Sequence, residues 1–155
     1  MRVRFLWPGK TKNQAVRALQ EDLLRRIGRL AACEVIETRE AKGIEEKFSR
    51  KILELEAQGL EKHLQDDYII CLFDQGKEMN SMDFARFLEN AAMTSGRPLA
   101  FVLGGFCGLA ERIMNRCQTR LSLSRMTFSH ELTRIVLLEQ VYRSLSILKG
   151  TNYAK

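Results

Sequence analysis

Cysteine is scarce and poorly spaced for chemistry. The four residues, Cys33, Cys71, Cys107 and Cys117, include no CxxC pair, so neither a disulfide scaffold nor a zinc site is indicated and no metal is expected. Cys71 lies inside an apolar run, where a thiol behaves as a small hydrophobe. Long hydrophobic runs are missing too. No stretch approaches the roughly eighteen apolar residues of a membrane span, and the opening MRVRFLWPGK holds no apolar run long enough for a secretory signal. The expectation is a soluble, cytoplasmic protein without a membrane partner. The phosphate-loop pattern GxxxxGK[ST] is absent. The one glycine cluster does not fit GxGxxG and follows a late strand rather than the first, which weakens dinucleotide-binding and NTP-hydrolysing readings. Internal repeats and linkers are also lacking.

What is present is enough for one domain spanning residues 1–155: the chain is 45% apolar and 28% charged, long enough to bury a real core. Its net charge of +6 is unevenly distributed. From Ala110 to Lys155 eight basic residues face three acidic ones, so that segment carries +5 of the total. A basic C-terminal third suits a nucleic-acid face, and equally suits arginines that merely solvate helix surfaces.

Hydrophobic periodicity sets the element order. Val3 to Trp7 reads as a strand closed by Pro8-Gly9, followed by a helix whose apolar stripe is Ala15, Val16, Leu19, Leu23, Leu24, Ile27 and Leu30. Glu34 to Thr38 reads as a second strand. Residues 44–59 read as a charged helix with Phe48, Ile52, Leu53 and Leu55 buried and Gly59 as its stop. Tyr68 to Phe73 and Leu99 to Leu103 are continuous apolar runs, the pattern of parallel strands covered on both faces. Between them Ser81 caps a helix that buries Met82, Phe84, Phe87, Leu88 and Ala91 and ends at Gly96 and Pro98. Leu109 to Cys117 is a short helical stretch, Leu121 to Leu123 a last small strand, and Leu132 to Leu148 a long helix. This alternation predicts a three-layer α/β/α fold with a mostly parallel sheet.

The last helix is apolar on more than one face, so two surfaces are needed to bury it. One is the sheet. The other is either the same helix of a second subunit, giving a homodimer, or the core of a monomer.

In open parallel sheets ligands bind beyond the carboxyl ends of the strands, which draws attention to three loops: Asp74-Gln75-Gly76-Lys77, Gly104-Gly105-Phe106-Cys107-Gly108, and Ser124 through His130. Paired glycines after a buried strand let a backbone approach a ligand closely, or simply make a tight turn into a helix. A Cys107–His130 nucleophilic pair lacks an orienting partner. Tyr153, flanked by Lys149 and Lys155, is either a free tail or a residue that stacks on a base.

Leu103-Gly104-Gly105-x-x-Gly108-Leu109, the block Leu121-Ser122-Leu123-Ser124-x-Met126-Thr127-Phe128-x-His130, and Leu132 through Arg134 followed by Glu139, Tyr142 and Arg143 together resemble the ribosomal RNA large subunit methyltransferase H family of the SPOUT class, over the whole chain. The resemblance implies a C-terminal deep trefoil knot, S-adenosyl-L-methionine (AdoMet) as cofactor, a homodimer, and methylation of N3 of a pseudouridine in large-subunit rRNA within the ribosome. By position it implies cofactor contacts at Leu72, Gly104, Leu123, Ser124, Arg125, Met126, Thr127 and Phe128. Methyl transfer is an in-line displacement in which positioning supplies most of the catalysis, and cations near the imide would favour its anion. Arg134, Arg143, His130 and Tyr153 are the substrate-side candidates. The segment 149–155 would be a short substrate-contacting tail reaching the partner subunit's site. That tail departs from the family's usual Pro-Tyr-His-Arg: it reads Asn152-Tyr153-Ala154-Lys155. Two other readings keep the fold: a non-catalytic RNA-binding or ribosome-assembly protein, and a knotted methyltransferase acting on transfer RNA.

Overall fold

The computed structural model describes residues 1–154. Strands and helices alternate as the periodicity requires: β1 (Arg2–Pro8), α1 (Gln14–Gly28), β2 (Ala32–Thr38), a 3-10 turn (Glu46–Phe48), α2 (Ser49–Glu61), β3 (Tyr68–Glu78), α3 (Ser81–Ser95), β4 (Leu99–Val102), α4 (Glu111–Met114), β5 (Thr119–Ser122), α5 (His130–Leu148) and a closing 3-10 turn (Asn152–Ala154). The five strands form one sheet in the order β2-β1-β4-β3-β5, and every pairing is parallel.

Period-two alternation on the strands sorts side chains between two cores. Val3, Phe5 and Trp7 of β1, with Ile70, Leu99 and Phe101, face a layer made by α1, α3 and α5, while Leu6, Ile69, Cys71, Ala100 and Val102 face α2 and α4. In the first core Phe5 stacks on Phe101 at 5.6 Å and Phe84 meets Phe101 edge-on at 6.2 Å. Arg4 is buried on the second face, held by Asp67 and Glu34. Cys71 is fully buried there and burial pushes its thiol pKa up, in keeping with a hydrophobe's role.

Several details differ from the sequence reading. The helix expected over 44–59 is a 3-10 turn followed by α2, and Phe48 and Leu55, expected inside, are 51% and 41% exposed, as Met82 of α3 is at 49%. Gly59 does not end α2; it lies within it, where a Cβ would stand 3.4 Å from the Thr38 side chain, so the glycine serves close helix–strand packing. Asn80 rather than Ser81 caps α3, its side chain accepting from the Asp83 amide at 2.8 Å, and Ser81 instead donates to Gln140 of α5. On α1, Leu19 is exposed and Gln20 is buried, because Gln20 accepts a hydrogen bond from the Thr11 hydroxyl.

The long α5 lies between α1 and α3 and touches both. Much of the second surface its apolar residues require is thus supplied within the chain. Leu132 stays 45% exposed and Val136, Tyr142, Ile147 and Leu148 are half-buried, so part of its apolar surface stays uncovered within the chain. No helix among the described residues is long and apolar enough to cross a membrane.

Candidate functional site

Because β4, β3 and β5 are neighbours and parallel, the loops after them share one edge of the sheet. That edge is where an open α/β sheet takes a ligand.

The first loop interrupts β3 itself. Leu72 and Lys77 both register with Leu121, so Phe73 to Gly76 bulge out between them. Gly76 makes this possible: a Cβ there would stand 2.7 Å from the Arg120 carbonyl, closer than side chains tolerate. The second loop, after β4, is a tight turn in which Gly108 (φ 81°) donates to the Gly105 carbonyl at 3.0 Å. Gly104 is packed so closely on the Gly108 backbone that any side chain would overlap it. The third loop is organised by serine hydroxyls: Ser122 donates to the Ser124 carbonyl, Ser124 accepts from the Met126 amide, and Ser129 caps α5 by accepting from the Leu132 amide. Arg125 then pairs with Glu78 at 3.1 Å, tying the third loop to the first. Asp74, Gln75, Gly76, Glu78 and Arg125 line a cleft of about 550 Å³ between them.

The residues expected to hold the cofactor lie in or beside these three loops. Leu72 and Leu123 are half-buried against the main core, Gly104 forms the floor of its turn, and Ser124 through Phe128 run along the same edge, with Met126 76% exposed. Three backbone-rich loops with glycines where chains pass closest fit an adenosine-bearing methyl donor, which needs amide and carbonyl partners and room for a flat base.

The substrate-side candidates do not converge within one chain. His130 opens α5 beside the third loop and is half-buried. Arg134, expected on the substrate side, is 1% exposed: it donates to the Thr11 hydroxyl at 3.0 Å and the Pro8 carbonyl at 2.7 Å and lies over the Trp7 ring at 4.9 Å. Burial lowers its pKa against the pull of Glu37, Glu131 and Glu40. Glu131 adds a second tie to the same loop, accepting from the amides of Lys12 and Asn13, which hold its carboxyl below the usual range despite the opposing effect of burial. Arg143 and Tyr153 stand far down the helix. Thirteen residues at about 1.5 Å each put Arg143 about 20 Å from His130.

Down there the tail is docked. Tyr153 packs on Tyr142 at 4.4 Å between ring centres and donates to Glu139 at 3.2 Å, while Arg143 chelates the same Glu139 oxygen at 3.0 and 2.8 Å and lies over the Tyr153 ring. The carboxylate of Glu139 raises the pKa of Arg143; burial and Glu139 raise that of Tyr153. The basic surplus of the C-terminal third is also partly spent, since Arg112, Arg125 and Arg143 are ion-paired and Arg134 is buried. Arg116, Arg120 and Lys149 are its exposed cations without an ion pair among the described residues. Sequence reasoning passed over Glu56, a buried carboxylate on α2 directly beneath Gly105.

The parallel sheet, the loops gathered at one edge and their glycine turns define an α/β protein with the layout of a strand-end ligand site. The chain belongs to the SPOUT methyltransferase family, whose model, described as "Predicted SPOUT methyltransferase", matches residues 1–154. It is 33% identical to the ribosomal RNA large subunit methyltransferase H of Clostridium beijerinckii and 35% identical to that of Clostridium botulinum strain Kyoto, in each case over all of both chains. Among solved structures it resembles, in fold, the ribosomal RNA small subunit methyltransferase E of Neisseria gonorrhoeae bound to S-adenosyl methionine, with a TM-score of 0.51 at 9% identity over 94% of this chain and 66% of that one.

Proposed function

We propose that this protein transfers a methyl group from AdoMet to N3 of a pseudouridine in large-subunit rRNA, on the ribosome, as a cytoplasmic homodimer. The observation that carries the reading is full-length similarity to large-subunit rRNA methyltransferases in a chain whose three strand-end loops lie side by side at one edge of a parallel sheet. Family membership also supports a knot in the C-terminal part.

AdoMet would supply a methyl group on a sulfonium centre. Leu72, Gly104 and Leu123 to Phe128 would hold it, mainly through main-chain amides and carbonyls. His130, half-buried next to the third loop, is the residue of this chain best placed to face the nucleobase. Arg134 works behind the surface, fixing the loop between β1 and α1 against the start of α5. Positioning of donor and acceptor contributes most of the rate, and cations around the imide favour its loss of a proton.

The distance between His130 and Arg143 supports the dimer. Arg143, with Tyr153 docked beside it, lies too far from the start of α5 to serve its own chain's cleft, so a place for these two residues in the chemistry requires the partner's site, across a two-fold axis that pairs the uncovered part of α5 with itself.

The test is transfer of labelled methyl from AdoMet to ribosomes purified from cells lacking this protein, with the product nucleoside identified by mass spectrometry. N3-methylpseudouridine is expected. A different methylated nucleoside would move the target, and AdoMet binding without transfer would favour a non-catalytic role.

A further inference from the structure

The face α2 turns to the sheet is apolar at Ile52, Ala57 and Leu60, yet the fourth buried position is Glu56, 5% exposed. No cation pairs with it among the described residues. One carboxylate oxygen accepts from the Ala41 amide at 3.5 Å and the other, Oε2, has no hydrogen-bond partner. That free oxygen lies 2.9 Å from the point where a Cβ of Gly105 would stand. A carboxylate left in such a place is a cost to folding that an apolar side chain of similar size would remove. Its retention therefore calls for a reason outside stability.

The reason lies in what it touches. Gly105 has no side chain of its own, and the hydrogen bond that closes the turn, from the Gly108 amide to the Gly105 carbonyl, leaves the Gly104 carbonyl and Gly105 amide of the preceding peptide without a bond inside the turn among the described residues. Glu56 fills the space beneath Gly105 and at the same time reaches Ala41, in the linker between β2 and α2. It braces the glycine loop against a rigid helix. Its negative charge also lies behind a loop expected to take a donor that carries a sulfonium and an ammonium group.

We propose that Glu56 is a positioning residue for the methyl donor: its buried carboxylate braces the Gly104–Gly105 peptide in the conformation that binds AdoMet. This rests on the reading of the glycine loop as part of the cofactor site. Burial and the neighbouring Glu40 raise the pKa of the group, while the nearby Ala41 and Gly105 amides, the second short of hydrogen-bond geometry, oppose the rise.

The experiment compares the full-length chain with Glu56→Ala and Glu56→Gln by calorimetric titration of AdoMet without RNA, thermal unfolding, and steady-state methylation of ribosomes. Loss of one charged buried contact should weaken AdoMet binding about tenfold in Glu56→Ala. Its KM for AdoMet should rise in step, kcat at saturating AdoMet should hold within about twofold, and the unfolding temperature should not fall. Glu56→Gln, equal in size and still able to accept from Ala41, should recover most of the affinity. Wild-type affinity in Glu56→Ala would overturn the proposal, as would equal losses in both variants accompanied by a matching fall in unfolding temperature. Gly104→Val separates this failure from that of the underlying reading: if that variant binds AdoMet normally, the loop has been misassigned, whatever Glu56 does.

Discussion

Arg134 sits where its chemistry and its burial pull in opposite directions. A guanidinium 1% exposed without a carboxylate in contact among the described residues is expensive, and it is held by the Pro8 carbonyl, the Thr11 hydroxyl and the Trp7 ring. Arg134→Ala would leave a cavity and orphan the Pro8 and Thr11 oxygens. The expected loss in urea unfolding is about 2–4 kcal/mol. A loss below about 1 kcal/mol would mean that Glu131 alone secures the loop. Neither Arg134 nor Glu56 could be assigned from local pattern, because what buries each lies far along the chain: Pro8 and Thr11 for the first, Ala41 and Gly105 for the second. That Gly104, Gly105 and the Ser124–Phe128 run stand in strand-end loops was legible for the opposite reason. Their meaning depends on the residues immediately before them, apolar strands that end abruptly in small or polar residues.

Elements were legible wherever periodicity was strong. The five strands and the helices α1, α3 and α5 stand close to where their apolar spacing places them. The misreadings fall where a tertiary neighbour overrides local preference: Gly59 accommodates Thr38 instead of stopping α2, and β3 runs on to Glu78 because Lys77 and Glu78 regain pairing with β5 beyond the bulge. The closing turn is an element the sequence suggested only as a tail. It docks through Tyr153 on Tyr142 and Glu139, and its attachment should depend on pH. The Tyr153 pKa is raised by burial and by Glu139, so the docked state holds the phenolic proton more tightly than a free tail does. The stabilisation from docking is then full below the free tyrosine value near 10 and declines as pH rises through the docked value. Ultraviolet difference titration against a Tyr153→Phe control should show one tyrosine ionising late. If the wild-type and control titrations differ only by a tyrosine of ordinary pKa, the tail is not docked in solution.

At the scale of the whole molecule, the sequence predicted layers and sheet type correctly but could not say how α5 divides its apolar surface, since that depends on α1 and α3 packing at its flanks. What they leave uncovered, together with the roughly 20 Å between His130 and Arg143, leads to a prediction about two chains. If each site takes its cofactor loops from one subunit and Arg143 and Tyr153 from the other, two inactive variants should complement each other. Gly104→Val removes cofactor binding, and Arg143→Ala weakens the far end of α5. In a mixed dimer, one site inherits both defects and the other neither. Random reassortment makes about half the dimers mixed, so equal parts should recover about a quarter of wild-type methylation. Were each site built from a single chain, every site in the mixture would carry one defect and no recovery would follow. Size-exclusion chromatography of each variant must show an intact dimer for the comparison to hold, and the mixture must be equilibrated long enough for subunits to exchange. Under those conditions recovery means that the methyl donor and the distal arginine acting on one nucleotide belong to different subunits.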